Sequence, residues 1–249
     1  GSYQKGLAQL NPITGQCKYI ELKNDMGNSA ECIYHIVEDN NQRLWVAAMD
    51  RGLFSIDLNT NKISLFETTD NGLEYKEDAN ILHNSSINTL ELSASTNKLY
   101  IGTYDGLGCL DLNNNSFTST WGVNRIMAGE VIYALCEDND GNLWIATSKG
   151  VRILNAQTKE LTSLTTKEGL PSNSIAAIEC DDEGCVWISS NYGISRYRPQ
   201  DSTLVNYYAD DGLQGNEFSK RVSFKGVKGE LNFGGTNGVT LFFPKNIIN

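Results

Sequence analysis

The chain has 249 residues, 40% of them hydrophobic, enough to bury a core in one large domain or in a repeat array. Its 30 acidic and 20 basic residues leave a net charge of -10 with no Lys/Arg cluster, which argues against nucleic acid or anionic lipid as a partner. The longest apolar stretches, such as Val239 to Phe243, fall far short of the roughly 20 residues that cross a bilayer, so no membrane contact is expected of this piece, and any leader or anchor is expected to lie outside it.

Taken in order, the predicted elements repeat. Residues 1–24 read as a partial unit, GLAQLN then QCKYIEL. Residues 33–68 give an apolar strand IYHIVED, a turn NNQ, a second strand RLWVAA, a short loop MDRG, a third strand LFSID and a weaker fourth, KISLFETT. A polar insertion, NGLEYKEDANILHNSS, precedes a looser copy over 87–121 (INTLELS, then KLYIGTYDGLGCLD). The clearest copies follow over 131–166 (VIYALCED, NDG, NLWIAT, SKG, VRILN) and 174–209 (IAAIECD, DEG, CVWISS, NYG, ISRYR), before a terminal partial unit over 217–243.

The second-strand aromatic is assigned to Trp45, Tyr100, Trp144, Trp187 and Phe233, at separations of 55, 44, 43 and 46. The glycine opening the third strand recurs at Gly6, Gly52, Gly106, Gly150, Gly193 and Gly238, separated by 46, 54, 44, 43 and 45 residues. A period near 44 with four short strands per unit, and no 3.6-residue periodicity, predicts an all-β fold: a β-propeller of four-stranded antiparallel blades, partial or shortened, with about five to six blades in one domain over 1–249. Second strands that are apolar at nearly every position fit strands covered on both faces by neighbouring blades. Asp140-Gly141-Asn142 and Asp182-Glu183-Gly184 supply the turn chemistry between first and second strands.

Six cysteines (Cys17, Cys32, Cys109, Cys136, Cys180, Cys185) show no CxxC pair or Cys/His spacing, so no metal is expected and they read as small buried hydrophobes. Cys180 and Cys185 flank a tight turn and could face each other, a distance that sequence does not fix.

The run DxxGNLWIATxxG from Asp138 to Gly150, followed by EGLPSNSI from Glu168 to Ile175, resembles the two-component regulator propeller repeat, and DGLQGNEF from Asp211 resembles the connector into the final blade of such proteins. The resemblance covers nearly the whole chain and implies part of a seven-bladed propeller in the periplasmic sensor of a Bacteroides-type hybrid two-component system. It implies an oligosaccharide ligand, a homodimeric full-length receptor and signalling to a cytoplasmic histidine kinase. With no Ser or Cys nucleophile placed by motif beside His35 or His83, no cofactor and no enzymatic activity are expected of this piece.

Loops joining second to third strands, and connectors between blades, emerge on one end of a propeller. There the candidates for ligand binding are Arg51, Tyr104, Asp105, Arg125, Lys149, Asn191 and Tyr192, accompanied by Asp50, Ser148, Asn173, Asn216 and Thr236-Asn237. Asn, Asp and Gly serve turns for backbone reasons, whereas a large aromatic or an arginine is not demanded by a turn, which favours Tyr104, Tyr192 and Arg51. Trp45, Trp144 and Trp187 recur at one blade position and are read as packing. The carboxylate pairs Glu38-Asp39, Glu137-Asp138 and Asp181-Asp182 recur likewise and are read as structural. Two alternatives stand beside the sensor: a propeller lyase of the streptogramin-lyase type, which would need His35 or His83 in a metal-bearing cluster, and a protein-interaction platform without a small-molecule ligand.

Overall fold

A computed structural model describes residues 1–24, 26–49, 51–66, 86–118, 127 and 129–247. The inserted loop with His83, and Arg125, lie outside the described residues. The architecture is an all-β propeller of five antiparallel blades, four with four strands and the last with three, and a two-stranded sheet comes first. The chain divides into two compact units, Gly1–Gly129 and Glu130–Asn249.

The first unit holds β1 (Leu7–Leu10) paired with β2 (Cys17–Ile20). One four-stranded sheet follows as β3 (Ile33–Glu38), β4 (Arg43–Ala48), β5 (Gly52–Asp57) and β6 (Ile63–Phe66). The next is β7 (Ile87–Leu92), β8 (Lys98–Thr103), β9 (Gly106–Asp111) and β10 (Ser116–Phe117). Trp45, Ala47 and Leu53 of one blade pack against Leu90, Leu99, Ile101 and Leu110 of the next.

The second unit holds β11 (Ile132–Glu137), β12 (Leu143–Thr147), β13 (Gly150–Leu154) and β14 (Leu161–Leu164). Then come β15 (Ile175–Cys180), β16 (Val186–Ser190), β17 (Gly193–Arg198) and β18 (Thr203–Tyr207). The last sheet is β19 (Phe218–Lys225), β20 (Leu231–Gly235) and β21 (Gly238–Phe242). Every residue of β12 and β16 is buried, as expected of strands covered on both faces.

An acid that opens the turn after the first strand, six residues ahead of the tryptophan, fixes each indole. Asp39, Asp138 and Asp181 accept the indole N–H of Trp45, Trp144 and Trp187 at 2.8, 2.7 and 2.7 Å. The other oxygen of each accepts two backbone N–H groups of the turn, such as those of Asp140 and Asn142 on Asp138. A buried indole N–H without an acceptor costs about 1–3 kcal/mol, so acid and indole should come and go together. They do. Ser93 holds the acid's place where Tyr100 replaces the tryptophan, and the turn there is one residue longer, closing from Ser93 to Lys98.

The terminal blade corrects the aromatic series. Its turn closes from Gly226 to Glu230 as the others close from Asp138 to Asn142, so the residue in tryptophan register is Asn232 rather than Phe233. Gly226 offers no acceptor and Asn232 no indole. Phe233 instead points to the other face of the sheet and is fully buried against Trp187, Ala177 and Ile194 of the preceding blade. Matching on aromatic character misled by one residue, and a one-residue slip in a strand exchanges the faces.

All six series glycines carry positive φ, from +68° at Gly6 to +128° at Gly238. At Gly193 a side chain would also meet the Tyr207 carbonyl and the Tyr208 ring. Cys136 and Cys180 form a disulfide joining β11 to β15. Cys185 lies on the opposite face of its blade, against Trp187, which removes it from reach of Cys180 although the two flank one turn.

Candidate functional site

Three of the loops from second to third strand share one latch. Thr103, Thr147 and Ser190 each donate their hydroxyl to the carbonyl of the third-strand glycine, Gly106, Gly150 and Gly193, at 2.9, 2.8 and 3.3 Å. The same oxygens accept the backbone N–H of Asp105, Lys149 and Tyr192, each at 3.0 Å. The loop backbone is therefore set by a hydroxyl and a glycine. Side chains at the two tip positions, Tyr104-Asp105, Ser148-Lys149 and Asn191-Tyr192, are not needed to hold the turn.

In the first unit, Tyr104 is exposed at 37% while Arg51 is half-buried ahead of Gly52. Asp105 accepts the Gly129 N–H at 2.7 Å, which gives it a structural task beside any ligand role. In the second unit, Tyr192 is 54% exposed, with the Tyr208 ring 5.6 Å away and tilted by 59°. Asn191 is exposed and donates its backbone N–H to Ser174. Lys149 reaches out beside the buried Glu130 at 3.7 Å, while Arg152 clamps that carboxylate through Nε at 3.1 Å and Nη2 at 2.6 Å. Two cations on one carboxylate leave a surplus positive charge at this tip.

The predicted residues therefore divide between the two units, Arg51, Tyr104 and Asp105 in the first, and Lys149, Asn191 and Tyr192 in the second. Sequence reasoning missed Tyr208 and Glu130. The signal for Tyr208 was present: an aromatic stands at the start of the connector, beyond what the turn requires.

The connector asparagines are loop hardware. Asn173 accepts the Thr166 N–H at 2.8 Å, and Asn216 accepts the Ala209 N–H at 2.7 Å. Glu168 and Asp211 accept from Thr165 and Tyr208 in the same pattern one blade apart, and the Thr165 hydroxyl and N–H hold the Glu168 carboxyl below its usual range. His35 is structural too. Its Nδ1 accepts the Leu90 N–H at 2.8 Å across the seam between β3 and β7, and burial lowers its pKa. No group of three or more His, Cys, Asp or Glu side chains converges on a metal-sized site among the described residues.

The geometry can be set beside known proteins. Residues 127–149 and 169–192 match the two component regulator propeller family model, so these blades carry that repeat. No curated protein matches the chain. Among solved structures, the extracellular domain of the hybrid two component system BT3049 from B. thetaiotaomicron superposes with a TM-score of 0.77 at 22% identity, covering 97% of this chain and 31% of that one. The extracellular domain of the hybrid two component system BT4673 from the same organism gives 0.76 at 21%, covering 100% and 34%. Virginiamycin B lyase from Staphylococcus aureus gives 0.60 at 15%, covering 92% of this chain and 74% of that one. These likenesses show the fold, and the chain spans about a third of the length of the two extracellular domains. No helix among the described residues is long and apolar enough to cross a membrane.

Proposed function

We propose that this chain, which carries two-component regulator propeller repeats, is the ligand-sensing module of a hybrid two-component system. It faces the periplasm, recognises a glycan-derived oligosaccharide, and signals to a cytoplasmic histidine kinase within a homodimeric receptor. The observation that carries the reading is the division of labour in three of the loops: a hydroxyl and a glycine hold the turn, which leaves Tyr104, Lys149, Asn191 and Tyr192 to meet a ligand. A sugar ring offers an apolar C–H face to an exposed tyrosine and hydroxyls to Lys149 and Asn191, so those side-chain types suit it.

Location is supported by the Cys136–Cys180 disulfide, a bond that persists in oxidising compartments such as the bacterial periplasm. Signalling requires the ligand to bind one receptor state better than the other, since a ligand of equal affinity shifts nothing. The test is isothermal calorimetry of the chain against a panel of plant and host glycan fragments, repeated with Tyr192→Ala and Tyr104→Ala. Saturable binding that either variant weakens at least tenfold, with unchanged melting temperature, supports the assignment. A panel without any heat of binding, or full affinity in both variants, overturns it.

A further inference from the structure

Two lysines of the second unit carry charge at the end where its loops and connectors emerge. The strand pairing fixes that end. Ile132 pairs with Thr147 and Ile175 with Ser190, so the first residues of β11 and β15 lie beside the strand ends that lead into Ser148-Lys149 and Asn191-Tyr192. Phe218, first in β19, pairs with Gly235 in the same way.

Lys220, the third residue of β19, reaches Tyr133, the second residue of β11, on the innermost strand two blades earlier. Its Nζ donates to the Tyr133 hydroxyl at 2.9 Å and stands 4.1 Å from the centre of that ring. The intervening β15 has only Ala176 at the position of Tyr133. A phenol and a ring face are neutral, so they orient the ammonium without cancelling its charge. Tyr133 is buried, which fixes the anchor. No carboxylate among the described residues forms an ion pair with Lys220, although Glu217 stands three residues before it.

Lys149 carries the second charge. The acid beside it, Glu130, is 3% exposed and already held by two bonds from Arg152, whereas Lys149 lies 3.7 Å away and is 57% exposed. One carboxylate cancels one cation, and the two-pronged guanidinium is the closer match. Glu168 and Asp211, in the connectors, spend an oxygen each on the N–H of Thr165 and of Tyr208.

We infer that the oligosaccharide is acidic, bearing carboxylate or sulfate groups, and that Lys220 at the innermost strands and Lys149 at the loop tip pair with them. The inference deepens the ligand-sensing assignment and rests on it. An ammonium already oriented by Tyr133 loses little freedom on binding, and a charge-assisted bond is about twice as strong as a neutral one, so the anion sets the selectivity. A neutral glycan of the same shape leaves both ammonium groups without a counter-charge.

Isothermal calorimetry of the 249-residue chain compares two matched pairs of probes: a galacturonate tetrasaccharide with its carboxyl-reduced form, and a sulfated carrageenan tetrasaccharide with its desulfated form. The first pair reads carboxylate and the second sulfate. At least one acidic probe is expected to bind roughly tenfold or more tightly than its neutral partner, with an affinity that falls as salt screens the pair. Lys149→Met and Lys220→Met each remove most of that difference, whereas Lys149→Arg and Lys220→Arg keep it, and melting temperatures separate lost binding from lost folding. Equal affinity for acidic and neutral probes, or acid selectivity that survives both Met variants, overturns the inference and leaves the sensing assignment standing. No heat from either acidic probe overturns it as well, and the sensing assignment then depends on the neutral fragments alone.

Discussion

Cys136 and Cys180 stand 44 residues apart, one blade repeat, and their sulfurs bond the innermost strand of one blade to that of the next. The cross-link closes a loop that includes β11 through β15. Chain entropy assigns a loop of 44 residues about 4 kcal/mol of stabilisation through the unfolded state. A Cys136→Ser/Cys180→Ser double variant should therefore unfold at markedly lower urea than the parent, and reductant should shift the parent to the same midpoint. Equal midpoints in oxidised and reduced protein would show that the bond does not constrain the chain.

Replacing Asp138 by Ala strands the Trp144 indole and the turn N–H groups of Asp140 and Asn142. The expected cost is about 3 kcal/mol. Ser93→Ala, at the matching place above Tyr100, removes the acceptor for Thr96 and the hydroxyl contact with Ser95, with no indole at stake, and should cost about 1 kcal/mol. Chemical denaturation followed by tryptophan fluorescence compares them, and similar losses would contradict the pairing of acid with indole.

Burial lowers the pKa of His35, so the folded chain keeps the imidazole neutral where the unfolded chain takes up a proton. The unfolded state then binds more protons below about pH 6.5, and stability falls as pH drops through that value. His35→Gln should flatten the melting temperature between about pH 7 and pH 5 relative to the parent. Asp39 adds a separate acid-side loss: burial pushes its carboxyl up, but bonds from Trp45, Arg43 and Asn41 outweigh that and hold it low. Its contribution is present above about pH 4 and disappears only as pH falls through the depressed folded value. A variant curve parallel to the parent's would count against the histidine.

Asn173→Ala and Asn216→Ala test the connectors. Each removes the acceptor for one loop N–H, so a loss of about 1 kcal/mol in stability is expected, with ligand affinity changed less than by Tyr192→Ala. Affinity lost without any change in unfolding would instead put these residues in the ligand's path.

The blades were legible because strand, turn and glycine recur together, and one acid of each recurring pair, Asp39, Asp138 and Asp181, holds its turn as the repetition suggested. The Asn232 register was not legible, since Phe233 matched the aromatic expectation while the turn at Gly226 had lost the acid that would have set the count. The disulfide was hidden for a related reason: Cys136 and Cys180 occupy neighbouring positions in successive repeats, far apart along the chain, whereas Cys180 and Cys185 are close in sequence. Thr103, Thr147 and Ser190 each precede their glycine by three residues, and that spacing was available to find the latch.

That latch separates two kinds of inheritance in one short loop. In these three loops a hydroxyl and a glycine set the reversal, while the pair between them varies and only Asp105 also holds a backbone N–H, that of Gly129. Tyr104-Asp105, Ser148-Lys149 and Asn191-Tyr192 already differ in charge and size within the same hydrogen-bond pattern. Such a scaffold lets recognition diverge blade by blade while the framework stays constant.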